Sequence, residues 1–387
     1  MRIAMTHTRY TDVGGVERYV CALVERLLAA GHELHYFCHR WDEGAPAGVR
    51  FHRVPNTFKQ VRFLKVRSFD RLSERAVERA GPFDLVHGFT KTSRQDIYTD
   101  GSGCLQDYQE YSLRRGGALG RALRRGSLHQ RTVLAIERAR FTRGNFRRVV
   151  TMSDLVRKQI QRRYGLTDDE VVVIYNGIDL ERFHPRNVEA HRAAVRRELE
   201  LAEDRPALLF LGSDYDRKGL ATFLEALVQL DDAVGLVIGK ERPREEARYR
   251  QLAAALGVAE RVRFLGLRPE PARYYAACDL FVLPTRFDAF GMVVLEAMAT
   301  GIPAVVTTAA GAAEVIEDGV TGRRVHDPRD ADELAAACAP LLDREAARAA
   351  GARARVAAEG YSWERHFEQL LELYAQVAAE RRGEAAP

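Results

Sequence analysis

The stretch P-T-R-F-D-A-F-G-M-V-V-L-E-A-M-A-T-G-I-P, residues 284–303, lies between two short apolar runs that are typical of buried parallel strands. It predicts a loop followed by a helix that begins near Gly291. Two carboxylates stand out, Asp288 in the loop and Glu296 on a helix face that is otherwise apolar or small. A carboxylate on such a face is costly unless something binds it. We therefore expect an anionic, hydroxyl-rich ligand here, with Glu296 satisfied by the ligand rather than by protein.

The same alternation of strand, loop and helix runs through both halves of the chain, which predicts an α/β protein with parallel sheets. The N-terminal half opens with a strand, a loop ending in Gly14 and Gly15, and a helix. That loop is not G-x-G-x-x-G, and no acidic residue ends the second strand, which disfavours NAD. Gly14 and Gly15 therefore have two interpretations: they contact a phosphate or a sugar, or they only form a tight turn.

Composition limits the possible classes of protein. A chain of 387 residues with 46% apolar residues predicts two globular domains, and no apolar run approaches a membrane span. The N-terminus lacks the apolar core of a secretory signal. The five cysteines are scattered and form no C-x-x-C pair, which favours a reduced cytoplasm and disfavours a zinc site.

Positive charge is concentrated in one segment. Residues 110–164 hold fifteen Lys/Arg against three Asp/Glu, whereas the net charge of the whole chain is only +5. An anionic partner follows: a membrane surface, a phosphorylated acceptor or nucleic acid. No nucleic-acid motif accompanies the charge, so we expect no nucleic acid. Residues 57–80 predict a basic amphipathic helix, and residues 108–146 are rich in arginine. Each segment could contact an anionic membrane surface or form an ordinary solvated helix face.

Several polar residues follow predicted strands, where ligands bind in parallel sheets. His87 ends one strand, Asp100 opens a glycine-rich loop, and Ser153 precedes a helix. Each has a plain structural alternative: a satisfied histidine, a flexible turn and a helix cap. In the second half, Arg217 and Lys218 lie beside a helix N-terminus, where two cations suit a diphosphate, with an exposed pair as the alternative.

Taken together, the motifs resemble the retaining glycosyltransferases of family 4, which have the GT-B fold. The resemblance rests on V-R-F-L-G at 262–266, Y-Y-A-A-C-D-L-F-V-L-P at 274–284, the opening stretch, G-A-A-E-V-I, D-G-V-T-G and a final Y-S-W. G-G-V-E at 14–17, F-D-L-V-H-G-F-T-K at 83–91 and D-I-Y at 96–98 are similar to the lipopolysaccharide core glucosyltransferases of Gram-negative bacteria.

The resemblance implies two Rossmann-like domains facing across a cleft: an acceptor domain at 1–180, a nucleotide-sugar domain at 181–361, and a C-terminal helix, 362–387, that packs back on the first domain. It implies no bound metal and no cofactor. The expected catalytic residues are Asp288, Glu296, Lys218, Arg217, Asp100 and His87. The expected substrate-binding residues are Gly14, Gly15, Ser153, Gly212, Leu265, Phe290, Gly291 and Met292.

Three positions depart from the family pattern. Asp288 stands where Glu is usual, Ser213 where Arg is usual, and Ser102 where Asp is frequent. Arg217 would therefore supply the charge that Ser213 lacks.

The implied activity is retaining transfer of a hexose from a nucleotide sugar, such as UDP-glucose, to a lipopolysaccharide core or another glycolipid or polysaccharide acceptor. The protein would work at the anionic inner face of the cytoplasmic membrane. A nucleotide-sugar epimerase of the same fold and a non-catalytic membrane- or carbohydrate-binding module are the alternatives.

Overall fold

The computed structural model describes residues 1–114 and 126–384. The chain divides into two compact units. Unit 1 consists of Met1–Tyr175 and Phe367–Pro387, and unit 2 of Asn176–His366. Within the described ranges, no helix combines the length and the apolar character that crossing a bilayer requires.

Unit 1 is built on a seven-stranded parallel sheet in the order β5-β3-β1-β6-β7-β8-β9, with a separate small pair, β2-β4. Its strands are β1 (Arg2–Thr6), β2 (Arg9–Tyr10), β3 (Glu33–Cys38), β4 (Arg40–Trp41), β5 (Val49–Arg53), β6 (Leu85–Gly88), β7 (Ile97–Asp100), β8 (Arg148–Thr151) and β9 (Val171–Val173). The chain leaves β1 for β3 on one side and later returns to β6 on the other. This reversal makes the carboxyl ends of β1 and β6 the topological switch point, where open α/β sheets bind ligands.

Among the described residues of unit 1, the helices that connect these strands are α1 (Gly15–Ala29), α2 (Arg62–Ala80), α3 (Leu105–Arg114), α4 (Leu128–Arg140) and α5 (Asp154–Tyr164). The helix predicted over 57–80 is wrong in its first five residues. Val61 has extended backbone angles, and both Phe58 and Val61 are exposed rather than on a buried helix face. Much of the predicted arginine-rich segment, including Arg115, Arg121, Arg124 and Arg125, lies outside the described residues.

Unit 2 is a six-stranded parallel sheet in the order β12-β11-β10-β13-β14-β15. Its strands are β10 (Ala207–Leu211), β11 (Val234–Ile238), β12 (Val262–Gly266), β13 (Leu280–Leu283), β14 (Ala304–Thr307) and β15 (Gly322–Val325). The near-continuous apolar strands are buried because helices cover both faces of such a sheet. Its switch point lies at the carboxyl ends of β10 and β13.

The helices of unit 2 are α6 (Arg186–Glu198), α7 (Tyr215–Lys218), α8 (Leu220–Leu227), α9 (Pro243–Ala255), α10 (Pro271–Ala277), α11 (Met292–Ala299), α12 (Ala331–Cys338) and α13 (Arg344–Glu359), with 3-10 turns at Ala259–Arg261, Gly311–Val315 and Ala339–Leu341. The opening stretch 284–303 thus forms a loop and α11 between the strands β13 and β14, as its pattern predicts. The polar loop predicted at 212–219 instead contains the short helix α7.

The last helix, α14 (Trp363–Arg382), returns to unit 1 from Phe367 onward. It buries Leu370, Tyr374 and Val377. The hydroxyl of Tyr374 lies 2.5 Å from Nδ1 of His87 in β6. At its far end, Arg148 of β8 pairs with Glu380, so α14 is fixed to the sheet of unit 1 by packing and by polar contacts.

Candidate active site

Lys218 and Asp288 form an ion pair at the switch point of unit 2. Lys218 ends the short helix α7 after β10, and Asp288 lies in the loop after β13. The lysine side chain runs over Gly212, where an added Cβ would stand 3.1 Å from the lysine Cγ. Lys218 is only 9% exposed, so its side chain is restrained by the surrounding protein. The structure thus brings together three residues that the sequence assigned to one site.

The two loops that carry this pair are joined by backbone contacts. The Arg286 amide donates to the carbonyl of Arg217 at 2.8 Å, and the Arg217 guanidinium donates to the carbonyl of Phe287 at 2.9 Å. Gly219 has φ +82°, and any Cβ there would collide with the carbonyl oxygen of Pro284. This glycine therefore allows the two loops to approach closely.

Arg217 is partly occupied by protein partners. Its Nε donates to Asp214 at 3.1 Å, and its Nη1 lies 4.0 Å from Asp288. Arg217 and Lys218 therefore both face Asp288, which places two cations around one carboxylate. The expected charge beside Lys218 is present, although Ser213 itself contributes only its hydroxyl, which accepts from the amide of Lys240 at 3.2 Å.

Glu296 already has a protein partner, which corrects the expectation that ligand alone would satisfy it. Oε2 of Glu296 lies 2.9 Å from the hydroxyl of Tyr275, which also lies 3.0 Å from the carbonyl oxygen of Val293. Glu296 is half-buried in the middle of α11. A carboxylate accepts several hydrogen bonds at once, so Tyr275 orients Glu296 without preventing it from binding a diol.

The N-terminus of α11 borders the same site. Gly291, the residue before the helix, has φ +101°, and its Cβ position lies 3.5 Å from Oδ2 of Asp288. Phe290 is buried, and its carbonyl accepts from the Ala312 amide at 2.8 Å. The first amides of a helix lack intrahelical acceptors, so the amides around Met292 suit an anion beside Asp288. Leu265 is half-buried in β12, near the end of that strand.

In unit 1, Gly14 and Gly15 are exposed at the start of α1, after β1. Gly14 has φ +130°, a backbone conformation that favours glycine, and the carboxylate of Glu17 folds over it. Nothing lies within 4 Å of a Cβ at Gly15. The backbone at Gly15 is therefore open to a ligand at the first turn of α1, near the switch point of unit 1.

His87 does not face a substrate, which corrects its assignment as a catalytic candidate. Its side chain is fully buried; Nδ1 contacts the Tyr374 hydroxyl, and Nε2 lies 2.7 Å from the hydroxyl of Thr99. Both ring nitrogens therefore have protein partners. The histidine links β6, β7 and α14, which is the structural alternative that the sequence left open.

Asp100 ends β7, Ser153 lies just beyond the neighbouring strand β8, and both side chains are buried. Asp100 accepts from the amide of Ser102 at 3.2 Å. Burial, together with the nearby Glu137 carboxylate, raises the pKa of Asp100 to about 6. Ser153 caps α5 by accepting from the amide of Val156 at 3.3 Å. Both side chains make hydrogen bonds within the protein at the carboxyl edge of the sheet of unit 1. The predicted catalytic role of Asp100 and substrate-binding role of Ser153 remain predictions.

A cavity of about 960 Å³ lies in unit 1, largely around the amino ends of β6 to β9. Asp96, Arg148 and Glu380 are among its lining residues and are ion-paired there. Because parallel α/β sheets bind ligands at the carboxyl ends of their strands, the loops described above are the better candidates despite the size of this cavity.

The sequence matches two family models. Residues 205–344 match the model described as glycosyl transferases group 1, and residues 13–94 and 112–182 match the model of glycosyltransferase family 4. A probable transglycosylase of Burkholderia thailandensis, BTH_I0986, is 30% identical over 377 residues, which cover 95% of both chains.

The chain belongs to glycosyltransferase family 4.

Other relatives of this family 4 member agree in length and fold. The lipopolysaccharide glucosyltransferase WaaG of Escherichia coli K12 is 26% identical over 380 residues, covering 97% of this chain and 96% of WaaG. A crystal structure of WaaG has a TM-score of 0.79 at 24% identity, covering 96% and 99% of the two chains. Anabaena HepE with UDP and glucose has a TM-score of 0.71 at 20% identity, covering 96% and 99%. The fold is GT-B, and the protein is a glycosyltransferase.

Two residues of this glycosyltransferase were missed from the sequence. Tyr275 contacts Glu296, and the paired tyrosines before β13 were a visible but ambiguous signal. Lys91, three residues beyond β6, is half-buried and has no hydrogen-bond or ion-pair partner among the described residues. Its signal was its place after a strand at the switch point. In the described part of the chain, no cluster of three or more His, Cys, Asp or Glu could hold a metal ion.

Proposed function

We propose that this protein transfers a hexose from a UDP-sugar to a lipopolysaccharide core or another glycolipid or polysaccharide acceptor, with retention at the anomeric carbon. The observation that carries this proposal is the Lys218–Asp288 pair beside Arg217 at the switch point of unit 2. Two cations and a carboxylate that could accept from a sugar hydroxyl thus lie where α/β sheets commonly bind nucleotides, which supports the proposal.

The cations act on the leaving group. Breaking the bond between the anomeric carbon and the phosphate oxygen builds negative charge on the nucleoside diphosphate. An ammonium has three donors, so Lys218 is able to keep Asp288 and still donate to phosphate oxygens. Donors that are already in position when this charge develops are worth about 10²–10³ in rate each. The amides around Met292 would add to the same effect.

The carboxylates hold the donor. Glu296, oriented by Tyr275, would accept from the ribose hydroxyls, and Asp288 would accept from a hydroxyl of the hexose while balancing Lys218. Leu265 would contact the base. Because both acids have hydrogen-bonded partners, we assign neither as a nucleophile. The leaving phosphate would instead accept the acceptor proton on the face that it departs from, which gives retention.

The donor and acceptor classes draw support from relatives. HepE, a neighbour in fold, was crystallised with UDP and glucose, and WaaG is named for glucosyl transfer to lipopolysaccharide. The positive charge of residues 110–164 suits a peripheral protein at an anionic membrane. In the described part of that segment, however, Arg143, Arg157 and Arg163 are ion-paired. Residues 114–125 add five arginines and no acid to the charge of this segment.

Glu296→Ala and Lys218→Ala are expected to abolish sugar transfer while melting temperatures stay within about five degrees of wild type, since both side chains lie at the edge of the core. Glu245→Ala and Lys240→Ala, two exposed residues of unit 2, are the matched controls and should transfer normally.

A thermal-shift panel of UDP-, GDP- and ADP-sugars identifies the donor, because ligands that bind only the folded state raise its stability. NMR of the product then gives the anomeric configuration. Wild-type rates in both site variants would overturn the site assignment. Conversion of a UDP-sugar to its epimer without any acceptor would favour an epimerase instead.

A further inference from the structure

Lys91 lies at the carboxyl edge of unit 1 without a neutralising partner. It is half-buried and makes no hydrogen bond or ion pair within the described residues. The residues outside the described ranges, 115–125 and 385–387, contain no Asp or Glu side chain. A partly desolvated ammonium is costly unless a negative charge approaches it. Its surroundings therefore suit an anionic ligand.

The loop that carries Lys91 is held rigidly. Arg140, a fully buried residue of α4, donates from Nε to the carbonyl of Thr92 at 2.8 Å and from Nη2 to the carbonyl of Thr90 at 3.0 Å. Its guanidinium also stacks 3.7 Å above the ring centre of Tyr98. Arg140 thus hydrogen-bonds to both residues that flank Lys91, so the backbone around the lysine is preorganised for a ligand.

Two more basic side chains lie within electrostatic range of Lys91. Burial lowers the pKa of Lys91, and the charges of Arg140 and Arg62 lower it further. Burial, Arg62 and Lys91 likewise lower the pKa of His129. Nδ1 of His129 is buried without a hydrogen-bond partner in the described chain. We call Arg62, Lys91 and His129, which come from α2, the loop after β6 and α4, the Lys91 cluster.

The acids near the Lys91 cluster are engaged elsewhere. Glu137 accepts from the amides of Leu105 and Gln106, at 3.0 and 3.3 Å, and contacts the hydroxyl of Tyr164. Asp70 accepts from the amide and the hydroxyl of Ser93, at 2.6 and 2.8 Å. Glu137 acts on Lys91 only through space, by raising its pKa, and within the described residues no acid forms an ion pair with the cluster. The cluster can therefore accept an ion pair from an anionic ligand.

We propose that the Lys91 cluster binds the phosphate or carboxylate group of the acceptor, so that the acceptor is an anionic saccharide. The inference rests on the proposed function, in which Lys218 and Arg217 of unit 2 already neutralise the donor diphosphate. A second basic site in the other unit therefore suits the second substrate. Val61 and Leu128, the neighbours of Arg62 and His129 in sequence, are 41% and 56% exposed, which fits an acceptor that also carries apolar groups.

The chain has six lysines, which makes NMR of ¹³C-dimethylated lysine a direct test. Lys218 reports on the donor and Lys91 on the acceptor anion. UDP should shift the Lys218 signal, whereas inorganic phosphate should shift the Lys91 signal saturably at constant ionic strength. Sodium acetate in place of phosphate distinguishes a carboxylate from a phosphate preference. A Lys91 signal that moves with UDP alone, or with none of these probes, overturns the proposal.

Kinetics supply the second arm, with lipopolysaccharide-core oligosaccharide as acceptor. Lys91→Met should raise the acceptor KM about tenfold or more and leave the donor KM unchanged, because charge-assisted hydrogen bonds are lost for one substrate only. Inorganic phosphate should compete with the acceptor in the wild type but not in this variant. Lys240→Met is the control, and an intact Lys218 response to UDP shows that the variant is folded.

The two hypotheses fail separately. No Lys218 response to UDP and no transfer by the wild type would reject the proposed function. A normal Lys218 response together with a raised donor KM, or an unchanged acceptor KM, in Lys91→Met would reject only the role of the Lys91 cluster.

Discussion

Single side chains determine how much positive charge the site of unit 2 presents. The Lys218 side chain lies against Gly212 at the end of β10, in space that a Cβ at residue 212 would partly occupy. Surface loops usually tolerate small substitutions, but position 212 should not, because one added methyl group would displace the Lys218 side chain.

Gly212→Ala is expected to lower transfer about tenfold or more with little change in melting temperature. The new Cβ would stand 3.1 to 3.3 Å from three carbons of the Lys218 side chain, so the flexible lysine shifts and its ammonium leaves Asp288. Gly44→Ala, where nothing lies within 4 Å, is the matched control. Equal rates for the two alanine variants would show that the position of Lys218 is not limiting.

Asp100→Asn is expected to stabilise the protein at pH 8 and to have no effect at pH 4. Burial raises the folded-state pKa of Asp100 from 3.8 to about 6, so the folded state binds the proton more tightly than the unfolded chain. Stability due to this group is therefore lost as pH rises from about 4 to 6, and ionised Asp100 costs at most about 3 kcal/mol above that range.

An asparagine oxygen still accepts from the Ser102 amide, so the loop should keep its shape. Urea unfolding at the two pH values measures the difference, and the exposed Asp231→Asn is the control. A variant that is less stable than wild type at pH 8 would mean that the carboxylate is needed as an anion there.

At the scale of elements, the strands were the most predictable part. The apolar runs at 207–211, 280–283 and 304–307 are all strands in the structure. They were easy to recognise because strands of a sheet that is covered on both faces are apolar throughout. The start of α2 was mispredicted because Phe58 and Val61 look like members of an apolar stripe. Their exposure is set by tertiary packing, which periodicity does not record.

Tyr374→Phe is expected to weaken unit 1 by about 1–3 kcal/mol, because Nδ1 of buried His87 loses the hydroxyl of α14. Hydrogen exchange should show reduced protection in β6 and α14 and no change in the strands of unit 2. The control is Tyr274→Phe in unit 2, where the hydroxyl has no hydrogen-bond partner among described residues. Unaltered protection in β6 would show that packing alone holds α14.

At the scale of the molecule, sequence reasoning found residues by motif but not their partners. The sequence marks Asp288, Glu296 and Lys218 by their places beside predicted strands and helices, whereas the Tyr275 contact to Glu296 depends on the packing of α10 beside α11. His87 was misassigned for the same reason, since its partner Tyr374 lies 287 residues away in the chain. Charge has a similar limit, because composition counts arginines without showing which are paired.

Because residues 114–125 hold five arginines and no acid, we expect binding to anionic vesicles to depend on that segment. The triple change Arg121→Gln, Arg124→Gln and Arg125→Gln should weaken co-sedimentation with phosphatidylglycerol-containing vesicles by about 3 kcal/mol, more than a hundredfold, at about 1 kcal/mol per basic residue. Added salt should weaken wild-type binding in the same way. The matched control replaces Lys240, Arg242 and Arg244 of unit 2, which removes the same charge elsewhere. Equal losses for the two triple variants would mean that overall charge, rather than this segment, directs the protein to the membrane.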